Sequence, residues 1–219
     1  MRTKALLSLA ALAVGLSTSV AQNVYSLNVV GYVNVSLQAN QLSFLSLPLA
    51  DVNGNYNITN TIVLDSSQTF ANLFAWAGTA WNTAVPSWTG TAWDTPMVIS
   101  NGTGFFIQSV TNSTLTFVGQ VPQGAIQYSV PVGLSTLANQ IPVSTNFPGA
   151  AVGGLFDNIF TWDQVNQQWA NAVWSYNGSA WDNGVAGASP NGPLLNPGDA
   201  VFYQNANSTL NFTQNFTVQ

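Results

Sequence analysis

The 219-residue chain carries only 2 Lys+Arg against 7 Asp+Glu, with no histidine and no cysteine. Both cations, Arg2 and Lys4, fall in the first four positions, so the remainder holds seven aspartates and no cationic side chain, a formal charge of −7. Such a chain cannot neutralise phosphates, which excludes nucleic acid and anionic lipid as partners. It also lacks the means for a disulfide, a thiolate metal site or a thiol nucleophile.

In chain order, Met1–Lys4 is a short basic start, Ala5–Leu16 an apolar run, and Ser19-Val20-Ala21 a small-residue cleavage site. This pattern predicts a secretory signal peptide over residues 1–21, too short to span a membrane. The expected location is therefore extracellular or the outer cell surface, and no later apolar run is long enough to predict a membrane span. "VYSLNVVGYVNVSLQA" (24–39) reads as a leading β segment and "QLSFLSLPL" (41–49) as the strand after it. "DVNGNYN" (51–57) makes Asp51, Asn53 and Asn55 calcium candidates by spacing. Its glycine stands at the fourth position rather than the sixth, and the twelfth position is Ile62, so an Asn-Gly turn with Asx bonding is the better account. Thr61–Phe74 and 150–158 are ambiguous, the first with room for a short helical turn.

Next come Trp76, Trp81, Trp88 and Trp93. In a two-residue hairpin loop, partners lie symmetrically about the loop. Gly78-Thr79 as a loop sets Trp76 opposite Trp81, and Gly90-Thr91 sets Trp88 opposite Trp93. Glycine at the first loop position suits a type II′ turn. The block "GFFIQSVTNSTLTF" (104–117) follows, with β alternation at "TLTFV". "AIQYSVPV" (125–132) reads as a linker, after which "GLSTLANQI" (133–141), Trp162, Trp169, Trp174, Trp181 and "AVFYQNANSTLNF" (200–212) repeat the earlier anchors in the same order. A loop at Val165-Asn166, or a longer one, pairs Trp162 with Trp169; a loop at Asn177-Gly178 pairs Trp174 with Trp181.

The offsets between matching anchors drift from about 86 to about 96, which places insertions in loops. The expected fold is all-β: two pseudo-repeats of antiparallel hairpins forming β-sandwich or small barrel units. The expected organisation is a signal peptide (1–21), an N-terminal β segment plus repeat 1 (22–124, with the repeat itself at 41–124), a linker (125–132) and β repeat 2 (133–219).

The opening "VYSLNVVGYVNV", the "GTGFFIQ…STLTFVGQVPQG" block and the terminal strand "NFTQNFTVQ" resemble an uncharacterised family of secreted bacterial all-β proteins with a duplicated Trp-rich, GFF…LTFVG repeat. The resemblance covers nearly the whole chain after the leader. It implies export and an all-β fold; it implies no activity, cofactor or catalytic residue.

The side chains leave few chemistries open. Ser–His–Asp, Cys–His and Ser–Lys sites are impossible, and no phosphate loop is present. A pair of aspartates is enough for glycoside hydrolysis. However, Asp94, Asp163 and Asp182 each follow a tryptophan directly, and successive strand residues face apart. All eight tryptophans (76, 81, 88, 93, 162, 169, 174, 181) are candidates either for hairpin fasteners in a core or for ligand platforms. Three functions remain: a secreted non-enzymatic structural or cell-surface/matrix protein, a carbohydrate-binding protein using tryptophan platforms, and an Asp-dependent glycosidase. The first is preferred. No cofactor, resident metal or catalytic residue is expected, and the expected partners are copies of the chain itself or an extracellular glycan.

Overall fold

A computed structural model describes residues 29–148 and 153–218. The segment expected to be a signal peptide (1–21), with both cations, lies outside the described residues. The described chain is nearly all β, in antiparallel sheets that form no closed barrel. Among the described residues no helix is long and apolar enough to cross a membrane.

The first half contains β1 (Val30–Leu37), β2 (Leu42–Ser46), a helical turn α1 (Ile58–Thr61), β3 (Ile62–Val63), β4 (Asn72–Ala75), β5 (Gly104–Gln108) and β6 (Ser113–Gln120). The second holds β7 (Gly124–Val130), β8 (Gly133–Ala138), β9 (Thr145–Asn146), β10 (Asn158–Phe160), β11 (Trp162–Asp163), β12 (Gln168–Trp169), β13 (Trp174–Tyr176), β14 (Trp181–Asp182), β15 (Leu194–Leu195), β16 (Ala200–Asn205) and β17 (Leu210–Phe216). α1 leads into the ambiguous stretch Thr61–Phe74 and a 3-10 turn lies inside it, each started by a side-chain cap. Asn57 accepts from the Thr59 amide to begin α1, and Asp65 accepts from the Ser67 amide to begin the 3-10 turn at Ser66–Gln68.

The duplication is visible in the strand order. The sheet β2-β5-β4 has its counterpart in β8-β16-β10, and the pair β1-β6 in β7-β17. Residues 125–132, expected from sequence as a linker, therefore carry secondary structure. Most of that segment is β7, which pairs along its whole length with β17 as β1 pairs with β6. The physical reason is its alternation: Ile126, Tyr128 and Val130 turn inward while their neighbours face water. The segment set apart as a leader to repeat 1 and the segment read as a linker are the same element in two copies.

Strict alternation also builds two cores and a third, shared surface. In β5, Phe105 and Ile107 enter the first core with Leu45, Leu73, Leu115 and Phe117. In β16, Val201 and Tyr203 enter the second core with Leu137, Ile159, Trp181 and Phe212. The intervening residues Phe106, Ala200 and Phe202 join Phe44 and Ala138 in a cluster between the halves. Strands buried on both faces read as near-continuous apolar runs, which accounts for "GFFI" and "AVFY".

Candidate functional site

The faces that β2-β5-β4 and β8-β16-β10 turn toward each other carry matching rows. On the first sheet, cross-strand neighbours run Leu42–Gln108–Asn72, then Phe44–Phe106–Phe74, then Ser46–Gly104. On the second they run Leu134–Gln204–Asn158, then Thr136–Phe202–Phe160, then Ala138–Ala200. The smallest row makes the contact. Ser46 donates its amide to the Gly198 carbonyl (2.8 Å), and Gly104 donates to Thr136 Oγ1 (2.8 Å). A Cβ on Gly104 would lie 3.1 Å from that of Ala200, its own repeat counterpart. From this contact the junction grades to aromatic rings and then to amides.

The aromatic row is completed by the first tryptophan pair of each repeat. Trp76 and Trp81 are direct partners in a hairpin whose Gly78 has φ 93, as its loop position demands. Their rings meet edge-on at 5.2 Å and 80°. Trp162 and Trp169 pair likewise at 5.1 Å and 76°, across a longer loop stitched by Asp163, which accepts from the Val165 and Asn166 amides. The Asn166 side-chain amide, and then its backbone amide, hold the Asp163 carboxyl below the usual carboxylate range. Each hairpin rests on the other repeat's floor. Trp76 meets Phe202 at 5.0 Å and Trp162 meets Phe106 at 4.9 Å; Trp81 meets Phe202 at 6.0 Å and Trp169 meets Phe106 at 6.1 Å. These reciprocal distances place an approximate two-fold axis through the junction.

The result is an open cleft of about 600 Å³ walled by these four tryptophans over Phe106 and Phe202, with Leu42, Leu134, Phe160 and Gln204 at its margins. A second hollow of about 360 Å³ shares Leu42, Trp81 and Phe106 with it and reaches Phe74 and Gln108. Trp81 is 39 % exposed and Trp169 37 %. Such aromatic contacts contribute roughly 0.5–1.5 kcal/mol per pair beyond area burial, which pre-sets the rings.

One feature breaks the symmetry. The loop between β11 and β12 crosses to the outer edge of β2 at Leu42. There Gln167 Oε1 accepts from the Leu42 amide (2.7 Å) while Gln167 Nε2 donates to the Leu42 carbonyl (3.1 Å) and to the Gln164 carbonyl (2.6 Å). Trp162 Nε1 donates to the same Leu42 carbonyl (3.0 Å), and Gln164 Nε2 to Ser43 Oγ (2.9 Å). A side-chain amide thus stands in for the backbone of a missing strand and latches the halves together.

The other four tryptophans are structural. Trp88, Trp93, Trp174 and Trp181 are 6, 5, 9 and 2 % exposed and belong to the two cores, so they present no face to a ligand. Trp88 and Trp93 are partners, as the hairpin numbering requires. Trp174 and Trp181 are not: Tyr176 faces Trp181, and Trp174 faces Ile159. The loop is Gly178-Ser179, because Gly178, at φ 99, takes the first loop position. Asn177 precedes the loop, accepts from the Ser179 and Ala180 amides, and shifts the register by two. Tyr176, not Trp174, is the counterpart of Trp88.

The aspartates are used elsewhere. Asp51 Oδ1 accepts from the Asn53 and Asn55 amides (both 2.9 Å) and Oδ2 from the Asn60 side chain (3.1 Å). The three calcium candidates therefore form an Asx turn in which Asn53 and Asn55 contribute N–H donors rather than ligand oxygens. These bonds, the Asn55 amide foremost, hold the Asp51 carboxyl below its ordinary range. Asp94 accepts from the Ser87 amide and Asp182 from the Gly184 amide. Asp157 is fully buried and accepts from the Gly154 and Ala206 amides and the Tyr203 hydroxyl. None of these carboxylates lines the cleft. The floor phenylalanines, the flanking amides and the Gln167 latch are residues that tryptophan-centred sequence reading does not reach. No protein-family model, curated protein or solved structure matches the chain.

Proposed function

We propose that the chain is a secreted, non-enzymatic cell-surface or matrix protein that works by binding, and that the cleft between its repeats holds a carbohydrate. One observation carries the reading: two tryptophans from each repeat converge, partly exposed and held by ring contacts, on a single open cleft. Apolar aromatic walls with a few placed amides are the usual make-up of a small-ligand site. A chain with no cation beyond Lys4 is suited to a neutral ligand and offers an anion no cationic partner.

Titration with neutral oligosaccharides, followed by tryptophan emission, tests this. The wild type responds and saturates; Trp81→Ala and Trp169→Ala each weaken the response at least tenfold. A flat response across gluco-, manno-, galacto- and xylo-oligosaccharides removes the reading.

Self-association is the second reading, supported by a different surface. Among the described residues, β1 presents an eight-residue outer edge with no charge or proline, along which Val30 and Tyr32 are exposed. Unprotected edges of this kind pair with other strands. Light scattering that stays monomeric up to millimolar concentration counts against that role.

A further inference from the structure

Given carbohydrate binding at the cleft, we infer that its ligand is a linear, neutral glycan chain of several sugar units. One chain binds per protein molecule, lying on the shared aromatic floor with an amide row against each flank. This inference rests on the binding reading above and goes beyond it in ligand length, stoichiometry and the residues that select the ligand.

Three observations point this way. First, the site is composite. Phe106 and Phe202 each touch tryptophans of both repeats, so neither repeat holds a complete floor or wall alone. Duplication has produced one site on the two-fold axis, not two. Second, the hollow continues past the main cleft through shared walls at Leu42, Trp81 and Phe106, from Gln204 on one side to Gln108 on the other. A track of this size exceeds a single ring. Third, the flanks are amides held in place. Asn158 Nδ2 donates to Gln204 Oε1 (3.2 Å), and Ser175 Oγ donates to Asn158 Oδ1 (2.6 Å). In the first repeat, Ser87 Oγ donates to Asn72 Oδ1 beside Gln108, so the serine–asparagine–glutamine arrangement recurs. Amides that both donate and accept match neutral hydroxyls, while the rings match the C–H faces of the sugars.

Isothermal titration of the full secreted chain with linear neutral oligosaccharides of one to six units, from both glucan and mannan series, tests the inference. The expected result is one ligand per chain and an affinity that rises at least tenfold from one unit to four before levelling. Gln108→Ala and Gln204→Ala should each weaken binding of the hexamer by about three- to tenfold, the worth of one lost hydrogen bond. Both are exposed, and unchanged thermal midpoints verify that the fold is intact. Two ligands per chain, an affinity independent of length, or an effect from only one glutamine overturns this inference and leaves the carbohydrate reading standing. Saturable binding of a neutral naphthyl dye with no response to any oligosaccharide overturns both.

Discussion

Gln167 is the most informative residue to change, because its side chain alone supplies the acceptor for the Leu42 amide across the junction. Gln167→Ala removes that acceptor. The Leu42 carbonyl keeps the Trp162 indole as a donor, so the loss concentrates on one part-buried N–H. Leaving such a group unpaired costs about 1–3 kcal/mol, and we take about 2 kcal/mol. For a chain of this size, 1 kcal/mol corresponds to roughly 2–4 °C, so the thermal midpoint should fall by about 4–8 °C. In urea the midpoint should move with an unchanged slope. Gln167 also sits at φ 53, a left-handed conformation. Alanine suffers there as glutamine does, whereas Gln167→Gly relieves strain of about 1 kcal/mol. The glycine variant should therefore be more stable than the alanine variant although both lack the amide. Tryptophan emission reports the same event, since Trp169 packs on Phe44 and Phe202. An alanine variant within about 0.5 kcal/mol of wild type, or a glycine variant less stable than it, refutes the latch.

Trp93→Ala should destabilise by about 3–5 kcal/mol as a core truncation, and Trp81→Ala by far less, compared in urea; equal losses would contradict the division into core and cleft pairs. Gly104→Ala places a methyl group 2.7 Å from Phe44 Cζ. It should cost about 1–3 kcal/mol through overpacking, read in the same assay, and a neutral result would contradict the close packing of Gly104 against Phe44 and, across the junction, Ala200. The pH dependence follows from having only aspartate and tyrosine to titrate among the described residues. Asp51, Asp65 and Asp163 are lowered from 3.8, so their contribution is present above that value and is lost as pH falls through their folded values. Asp199, raised mainly by burial, acts in the opposite direction. Burial raises Tyr128 and Tyr203 above 10.0, so their contribution is present below 10.0 and is lost as pH rises beyond it. The thermal midpoint should be level from about pH 5 to about pH 9 and fall in strong base; a step between about pH 6 and pH 8 would contradict this assignment.

Much of the architecture is legible in single residues. The Gly78 and Gly90 loops locate two tryptophan pairs from numbering alone, because glycine at the first loop position permits one register. Gly178 obeys the same rule, but Asn177 beside it offers an equally familiar Asn-Gly turn, and local sequence cannot choose between the two. The separation of exposed from buried tryptophans was also encoded. Trp76 and Trp162 continue the alternation of Phe74 and Phe160, opposite in parity to Leu73, Ala75 and Ile159, which enter the cores. That signal becomes readable only once a second apolar surface is known to exist, since both parities are apolar. The cleft itself was not legible. It arises from the docking of two sheets, and the Gln167 bonds that bring them together span 125 residues.

The two repeats also differ in a way that explains why letter-by-letter matching underreports the duplication. After β5, the Val110 amide donates to Gln68 Oε1 (2.8 Å); after β16, the corresponding Ala206 amide donates to Asp157 Oδ1 (2.7 Å). Both acceptors are fully buried, yet they come from different places in the chain. In repeat 1 the positions matching Asp157 and Tyr203 are Ala71 and Ile107, so the first core is apolar where the second holds a carboxylate–phenol bond of 2.6 Å. What the duplication keeps is a part-buried amide that takes a fully buried side-chain acceptor, because leaving it orphaned is costly. The residue that meets the need is free to move. The same logic governs the junction: Gly104 faces Ala200, and Phe44 corresponds to Thr136, whose hydroxyl accepts the Gly104 amide. Divergence at these pairs left the two Phe floors and four tryptophan walls in reciprocal contact, which is why the cleft is the most symmetric part of an otherwise unequal duplication.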